Sequence, residues 1–128
     1  MSEYNYQIFE ETELIIVTWG PLATGEGLIN YQMETWNSGK LPIKWDEIID
    51  FSKTQKINVS TQDMKKLADL SVQLDSQERP GRTAIIVSGA LQYGLSRMYS
   101  SHRESAPGAR RSVEIFSDLT EARAWLGK

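Results

Sequence analysis

Four times along this chain a short apolar run ends at a turn and gives way to a segment with helical spacing. The runs are Leu14–Trp19 ("LIIVTW"), Trp45–Phe51 ("WDEIIDF"), Thr83–Ser88 ("TAIIVS") and Ser112–Phe116 ("SVEIF"). Strands that alternate with helices must be joined by long crossovers, so the pattern predicts a mainly parallel sheet with right-handed connections. One strand precedes the first run. Tyr4, Tyr6 and Ile8 alternate with polar neighbours, as in a half-buried strand, and the polar stretch Glu10–Glu13 turns the chain back into Leu14. Leu14–Trp19, with Ile15, Ile16 and Val17, is dense enough to be covered on both faces. The expected order is ββαβαβαβα. This is an α/β fold with a mostly parallel central sheet and an N-terminal antiparallel hairpin, in a single domain over residues 1–128. Helices are expected on both faces or split unevenly between them.

Each helical segment has its own stripe. Leu28, Ile29, Gln32, Met33 and Trp36 fall on one side of a helix from Leu28 to Trp36, with Gly39 as its C-cap. Gly20-Pro21 separates that helix from the strand before it. "STQDMKKLADLSVQLDSQ" opens with Ser60-x-x-Asp63, a capping box with Asp in the place of Glu. Met64, Leu67, Ala68, Ser71 and Leu74 form its inner stripe, and Lys65, Lys66, Asp69 and Gln73 point outward. Pro80-Gly81 stops the chain before the next strand. In the third helix, from about Gly89 to His102, the core stripe is read as Leu91, Leu95, Met98 and His102. Gly89 is expected to allow a tight strand-to-helix corner. "RESAPGARR" reads as a flexible loop, and a last helix starts at Ser117 or Asp118 and closes at Gly127.

Composition narrows the functions. With 128 residues, 40% hydrophobic and 24% charged, the chain can bury a real core. A net charge of −3 and a pI near 5.2 give no general attraction for nucleic acid or anionic lipid. No apolar run approaches the roughly 18–20 residues that span a bilayer. The acidic start, "MSEYNYQIFEE", lacks the basic and apolar regions of a secretory leader, so a cytoplasmic protein is expected. The absence of cysteine removes disulfides, thiolate nucleophiles and Cys-type metal sites. His102 is the only histidine, and at the end of an apolar stripe it reads as a helix-end residue bordering the core. Asp46, Glu47 and Asp50 flank one strand, and Asp50 stands at its carboxyl end. Trp19, Trp36, Trp45 and Trp125 read as core or core-edge residues. The turn at Ser88-Gly89 is no Walker loop, nucleophile elbow or dinucleotide fingerprint, because the required spacings are missing. A hydrolase using Ser88 or Asp50 would lack a positioned base. No catalytic residue, metal or cofactor is therefore expected.

Two surfaces remain as candidates. In open parallel sheets ligands bind outside the carboxyl ends of the strands, near helix N-termini. That rim carries Thr24, Ser52, Thr54, Ser60, Thr61, Ser88, Gly89, Ser117 and Asp118. The hydroxyls there serve as N-caps, as phospho-acceptors at Ser60 or Ser52, or as a ligand rim of Ser52, Ser60, Ser88, Gly89 and Ser117 for a lipid, anion or nucleotide. The second surface is the outer side of the third helix. Tyr93 and Arg97, four residues apart, can stack as a cation–π pair beside the small residues Ala90, Gly94 and Ser101. Tyr and Arg are enriched at contact surfaces, and small residues let another backbone come close. A protein partner or a second copy of the chain is expected there. Arg103, Arg110 and Arg111 read as a solvated basic loop, with an acidic partner as the alternative.

Several stretches also resemble a known family. The opening pair "YQIFEETELIIVTWGPL", the strand ending "IIDFS", the long loop into "VSTQDMKKLA", the segment "TAIIVSGALQYGLSRMY" and the close "VEIFSDLTEARAWLG" together resemble the SpoIIAA-like family. That family is related in fold to STAS domains and more distantly to CRAL-TRIO lipid-transfer domains. The Tyr93-Gly94-x-x-Arg97-Met98 segment is its most characteristic piece. The resemblance implies a central sheet of four or five strands with four helices. STAS-type anti-sigma factor antagonists are non-enzymatic, bind a partner kinase and are switched by phosphorylation of a serine at the start of the helix after the third strand. Ser60 matches that helix start, but the Asp-Ser-Ser-Gly-type signature is absent and residues 52–59 intervene after Phe51. The resemblance thus implies a non-catalytic regulatory or interaction module.

Overall fold

A computed structural model describes residues 3–75 and 79–128. The end of the "STQDMKKLADLSVQLDSQ" segment, at 76–77, lies outside the described residues. Among the described residues, strands β1 (Tyr4–Phe9), β2 (Leu14–Trp19) and β3 (Leu22–Thr24) precede helix α1 (Gly25–Gln32). A π-helical turn, Met33–Asn37, continues α1. Then come β4 (Asp46–Asp50), β5 (Lys56–Asn58), α2 (Thr61–Val72), β6 (Arg82–Ile86), α3 (Ala90–Glu104), β7 (Ser112–Phe116) and α4 (Leu119–Leu126). The expected order holds, with β3 and β5 added to it. These two strands of three residues each form a separate parallel pair. They are too short to show any periodicity, which is why the sequence does not display them.

The main sheet runs β1-β2-β4-β6-β7, antiparallel at β1–β2 and parallel at the other pairs. After the hairpin, each new strand is added on the same side of the last. Right-handed crossovers that all step in one direction must lie on one face of the sheet. Accordingly α1, α2 and α3 pack side by side on one face, while α4, which follows β7, covers the other. The uneven split is thus three to one.

Residue parity follows the same division. Ile15, Val17 and Trp19 of β2 face the three-helix side with Leu28, Tyr31, Met64, Ala68 and Leu95. Leu14 of β2 joins Ile48, Ala84, Ile86, Ala122 and Leu126 on the α4 side, with Ile16 and Phe116 packed against them. The dense apolar run at β2 is therefore covered on both faces. Caps fall where the sequence places them: Ser60 and Asp63 close a reciprocal capping box, Asp118 caps α4, and Gly127 ends α4 with φ +73°.

Three helical details differ from the sequence reading. Helix α1 begins at Gly25 rather than Leu28, and the π-helical turn rotates the chain so that Met33 is exposed while Tyr31, Thr35 and Trp36 point inward. Helix α3 extends through Arg103 and Glu104, which the sequence assigned to a loop. Its buried side is Gln92, Leu95, Ser96, Tyr99, Ser100 and Arg103, so Leu91, 56% exposed, is not core, and Met98 and His102 lie at the margin. Large apolar residues occur on several sides of α3, and hydrophobicity alone could not choose among them. The neighbouring helix α2 chose, because it presents Ser71 to Tyr99 and Arg103.

Candidate functional site

The rim residues do not converge. Ser52 and Ser88 meet: Ser88 Oγ donates to the Ser52 carbonyl at 3.0 Å, and Ser52 N–H donates to Asp50 Oδ1 at 2.8 Å. Gly89 adjoins them as the residue before α3, with extended backbone at φ −159° that any residue adopts. Gly89 therefore supplies no special corner. A Cβ there would instead crowd Gln92 Oε1, whose amide donates to the Thr54 carbonyl. Ser60 lies elsewhere, its Oγ accepting from Asp63 N–H at 3.0 Å. Ser117 stands at the start of α4, where its Oγ donates to Glu121 Oε1 at 2.7 Å. Thr24 caps α1 and is itself held by the Glu3 carboxylate. In a sheet whose strands are added in one direction no pair of crossovers diverges, and no crevice opens between them.

On α3 the outer side is continuous. Ala90, Tyr93, Gly94, Arg97 and Ser101 are all exposed, Tyr93 at 50%. The expected Tyr93–Arg97 stack is not formed. Among the described residues the cations over aromatic rings are Lys40 on Tyr6, Arg82 on Trp125 and Arg111 on Trp36. On an exposed helix face two long side chains gain little by ordering themselves against each other.

The "basic loop" is corrected most sharply. Arg103 is 2% exposed and ion-pairs with Asp75 at 2.5 Å, while its Nη1 donates to Ser71 Oγ. Asp75 Oδ2 also accepts the backbone N–H groups of Arg110 and Arg111 at 2.7 and 3.0 Å. Arg111 lays its guanidinium 4.7 Å from the centre of the Trp36 ring and donates to the carbonyls of Ile43 and Trp45. These arginines tie α2, α3 and the start of β7 together rather than facing solvent, though the Arg110 side chain stays exposed. Asp75 was not singled out from sequence, because one acid in a helix tail carries no local signal.

Glu47 is a second buried acid. Its Oε2 accepts from Tyr31 Oη at 2.6 Å and Trp36 Nε1 at 2.8 Å, and its Oε1 from Thr83 Oγ1 at 2.9 Å. Burial, reinforced by the Glu47 charge, pushes the Tyr31 hydroxyl well above its ordinary pKa. Strand parity could have found Glu47, since it shares the inward face of β4 with Ile49. Both acids sit where the strands begin, at the opposite end of the sheet from the rim.

Between the sheet and α1–α3 lies a cavity of about 30 Å³. Its wall is mostly apolar and includes Phe51, Met64, Leu67 and Leu95. Side chains with polar atoms also line it: Trp19 from the end of β2, Tyr31 and Gln32 from α1, and Ser96 and Tyr99 from the inner side of α3. Among the described residues, no cluster of acids and histidine could hold a metal ion, and no helix is long and apolar enough to cross a membrane.

No protein-family model matches the chain, and no curated protein does. Among solved structures it is similar to an uncharacterized protein from the DUF3478 family with a SpoIIAA-like fold, from Shewanella loihica PV-4. The two share 18% identity over 98% of this chain and 95% of that one, with a TM-score of 0.56. The fold is SpoIIAA-like, as the sequence resemblance implied.

Proposed function

We propose that this chain is a non-catalytic interaction module of the cytoplasm that works through the outer face of α3, with a second copy of itself as partner. The observation that carries this reading is the state of that face. Tyr93 and Arg97 are exposed, and among the described residues neither side chain has a hydrogen bond, ion pair or ring contact. Gly94 sits between them in the middle of the helix, and a Cβ there would meet nothing within 4 Å. A mid-helix Gly costs about 1 kcal/mol relative to Ala. Nothing inside the chain requires it, whereas close approach by another backbone would. An aromatic and an arginine flanking a small-residue strip is the composition of an interface centre.

Sedimentation equilibrium tests it. The wild type is expected to sediment as a dimer and Gly94→Arg as a folded monomer, since Arg is the better helix former and the site is open within the chain. A wild type that stays monomeric, or a variant as dimeric as the wild type, overturns the reading.

A further inference from the structure

Tyr93 and Arg97 stand about one turn apart on the outer side of α3, and the stack that their spacing permits within the chain is not formed. Both side chains are exposed, so the aromatic face and the guanidinium are left open to another molecule. Ala90, Gly94 and Ser101 are exposed on the same side, and at Gly94 the space is empty to 4 Å. The next exposed charge along α3 is Glu104, about two turns beyond Arg97.

Symmetry limits how two such helices can meet. A two-fold contact is isologous: if one residue meets a second, the second meets the first in return. In a parallel pair each residue near the axis faces its own copy. Arg97 would then face the partner's Arg97, and like charges set against each other across an interface are repelled. In an antiparallel pair whose axis passes midway between Tyr93 and Arg97, each Tyr93 instead lies level with the partner's Arg97. The guanidinium gains the aromatic face that it lacks within the chain, and the contact is made twice. At a rise of about 1.5 Å per residue the two arginines are then roughly 6 Å apart along the axis. Gly94 stands one residue from the crossing level, so the backbones can close to the short end of the usual spacing of about 8–10 Å. Ala90 comes within about one residue of the partner's Ser101, small against small.

Resting on the reading of this face as the contact with a second copy, we infer that the two α3 helices run antiparallel, with the two-fold axis beside Gly94 and each Tyr93 ring covered by the partner's Arg97. Each half of the contact is incomplete without the other chain, because the cation that covers each ring comes from the opposite copy.

Charge variants at positions 93 and 97 of the full chain test it, with the dimer dissociation constant read by sedimentation equilibrium and the fold by circular dichroism. Both positions are exposed, so the variants should fold. Tyr93→Arg sets like charges against each other and should weaken the dimer by about tenfold or more. Tyr93→Glu sets opposite charges together and should stay within about threefold of the wild type. Adding Arg97→Glu exchanges the two outcomes: Tyr93→Arg with Arg97→Glu should dimerise, and Tyr93→Glu with Arg97→Glu should not. A parallel pair cannot give this pattern, because each introduced charge then faces its own copy in all four variants. A wild type that stays monomeric overturns the reading of the face and this arrangement with it. A dimeric wild type whose four variants all weaken alike, or all stay as tight as the wild type, while Gly94→Arg still separates the copies, overturns the antiparallel arrangement alone.

Discussion

A single carboxylate oxygen of Asp75 accepts from the Arg103 guanidinium and from the N–H groups of Arg110 and Arg111. Asp75 and Arg103 are 1% and 2% exposed, so neither charge is screened by water. Removing one member of such a pair leaves the other buried and unpaired, at a cost of about 3–5 kcal/mol. Asp75→Ala is expected to lose that much in urea unfolding. Replacing both, as Asp75→Ala with Arg103→Met, should recover a large part of the loss, because the uncompensated charge disappears with its partner. A double variant as unstable as the sum of the singles would show that the pair does not act as a unit. None of this is legible locally. Asp75 and Arg103 are 28 residues apart, and Asp75 and Arg111 are 36 apart. Their types alone suggested a solvated basic loop, since arginine is usually exposed.

Helix α2 shows what is legible at the scale of an element and where that stops. Ser60 and Asp63 announce its start in the sequence, and the structure contains the box: Asp63 N–H donates to Ser60 Oγ at 3.0 Å and Ser60 N–H to Asp63 Oδ2 at 3.1 Å. Ser60→Ala should cost about 1 kcal/mol. The same carboxylate also abuts α1, where a Cβ on Gly25 would overlap it. Gly25→Ala is therefore expected to displace Asp63 and to destabilise the protein by more than Ser60→Ala. The double variant should cost less than the sum, because both changes disable one box. Strictly additive losses in thermal unfolding would contradict this. The cap is a short-range motif and could be read; the close approach of α1 could not. Helix α3 is the converse case, with its start legible, its end two residues beyond the expected one, and its inward side decided by α2.

The whole molecule carries a pH dependence on its alkaline side. Tyr4 is packed against Trp19, and burial together with the Glu34 carboxylate raises its pKa from 10.0 to about 12. Burial raises Tyr31 and Tyr99 as well, the latter against the nearby Arg103 charge. A tyrosine whose folded pKa exceeds its unfolded value favours the fold while it is protonated. That contribution is complete below pH 10, where the unfolded chain also holds its proton, and is lost as the pH rises through the folded value. Stability should therefore fall between about pH 10 and 12, with tyrosinate absorbance appearing together with unfolding. Tyr4→Phe should flatten that decline, and an unchanged slope would remove Tyr4 from the account.

Local sequence pattern was enough for the elements of the main sheet, their order, the caps of α2 and α4 and the α/β class. Each of those rests on neighbours within a few residues: an apolar period, a capping pair, a Gly after a last turn. The tertiary structure alone decided what depends on elements meeting. It placed three helices on one face because the strands are laid down in one direction, and it buried the Asp75 and Glu47 networks at the end of the sheet away from the rim. It also enclosed Trp19 and Ser96 around a common cavity. Those partners lie far apart along the chain, and no local pattern records which of them will face each other.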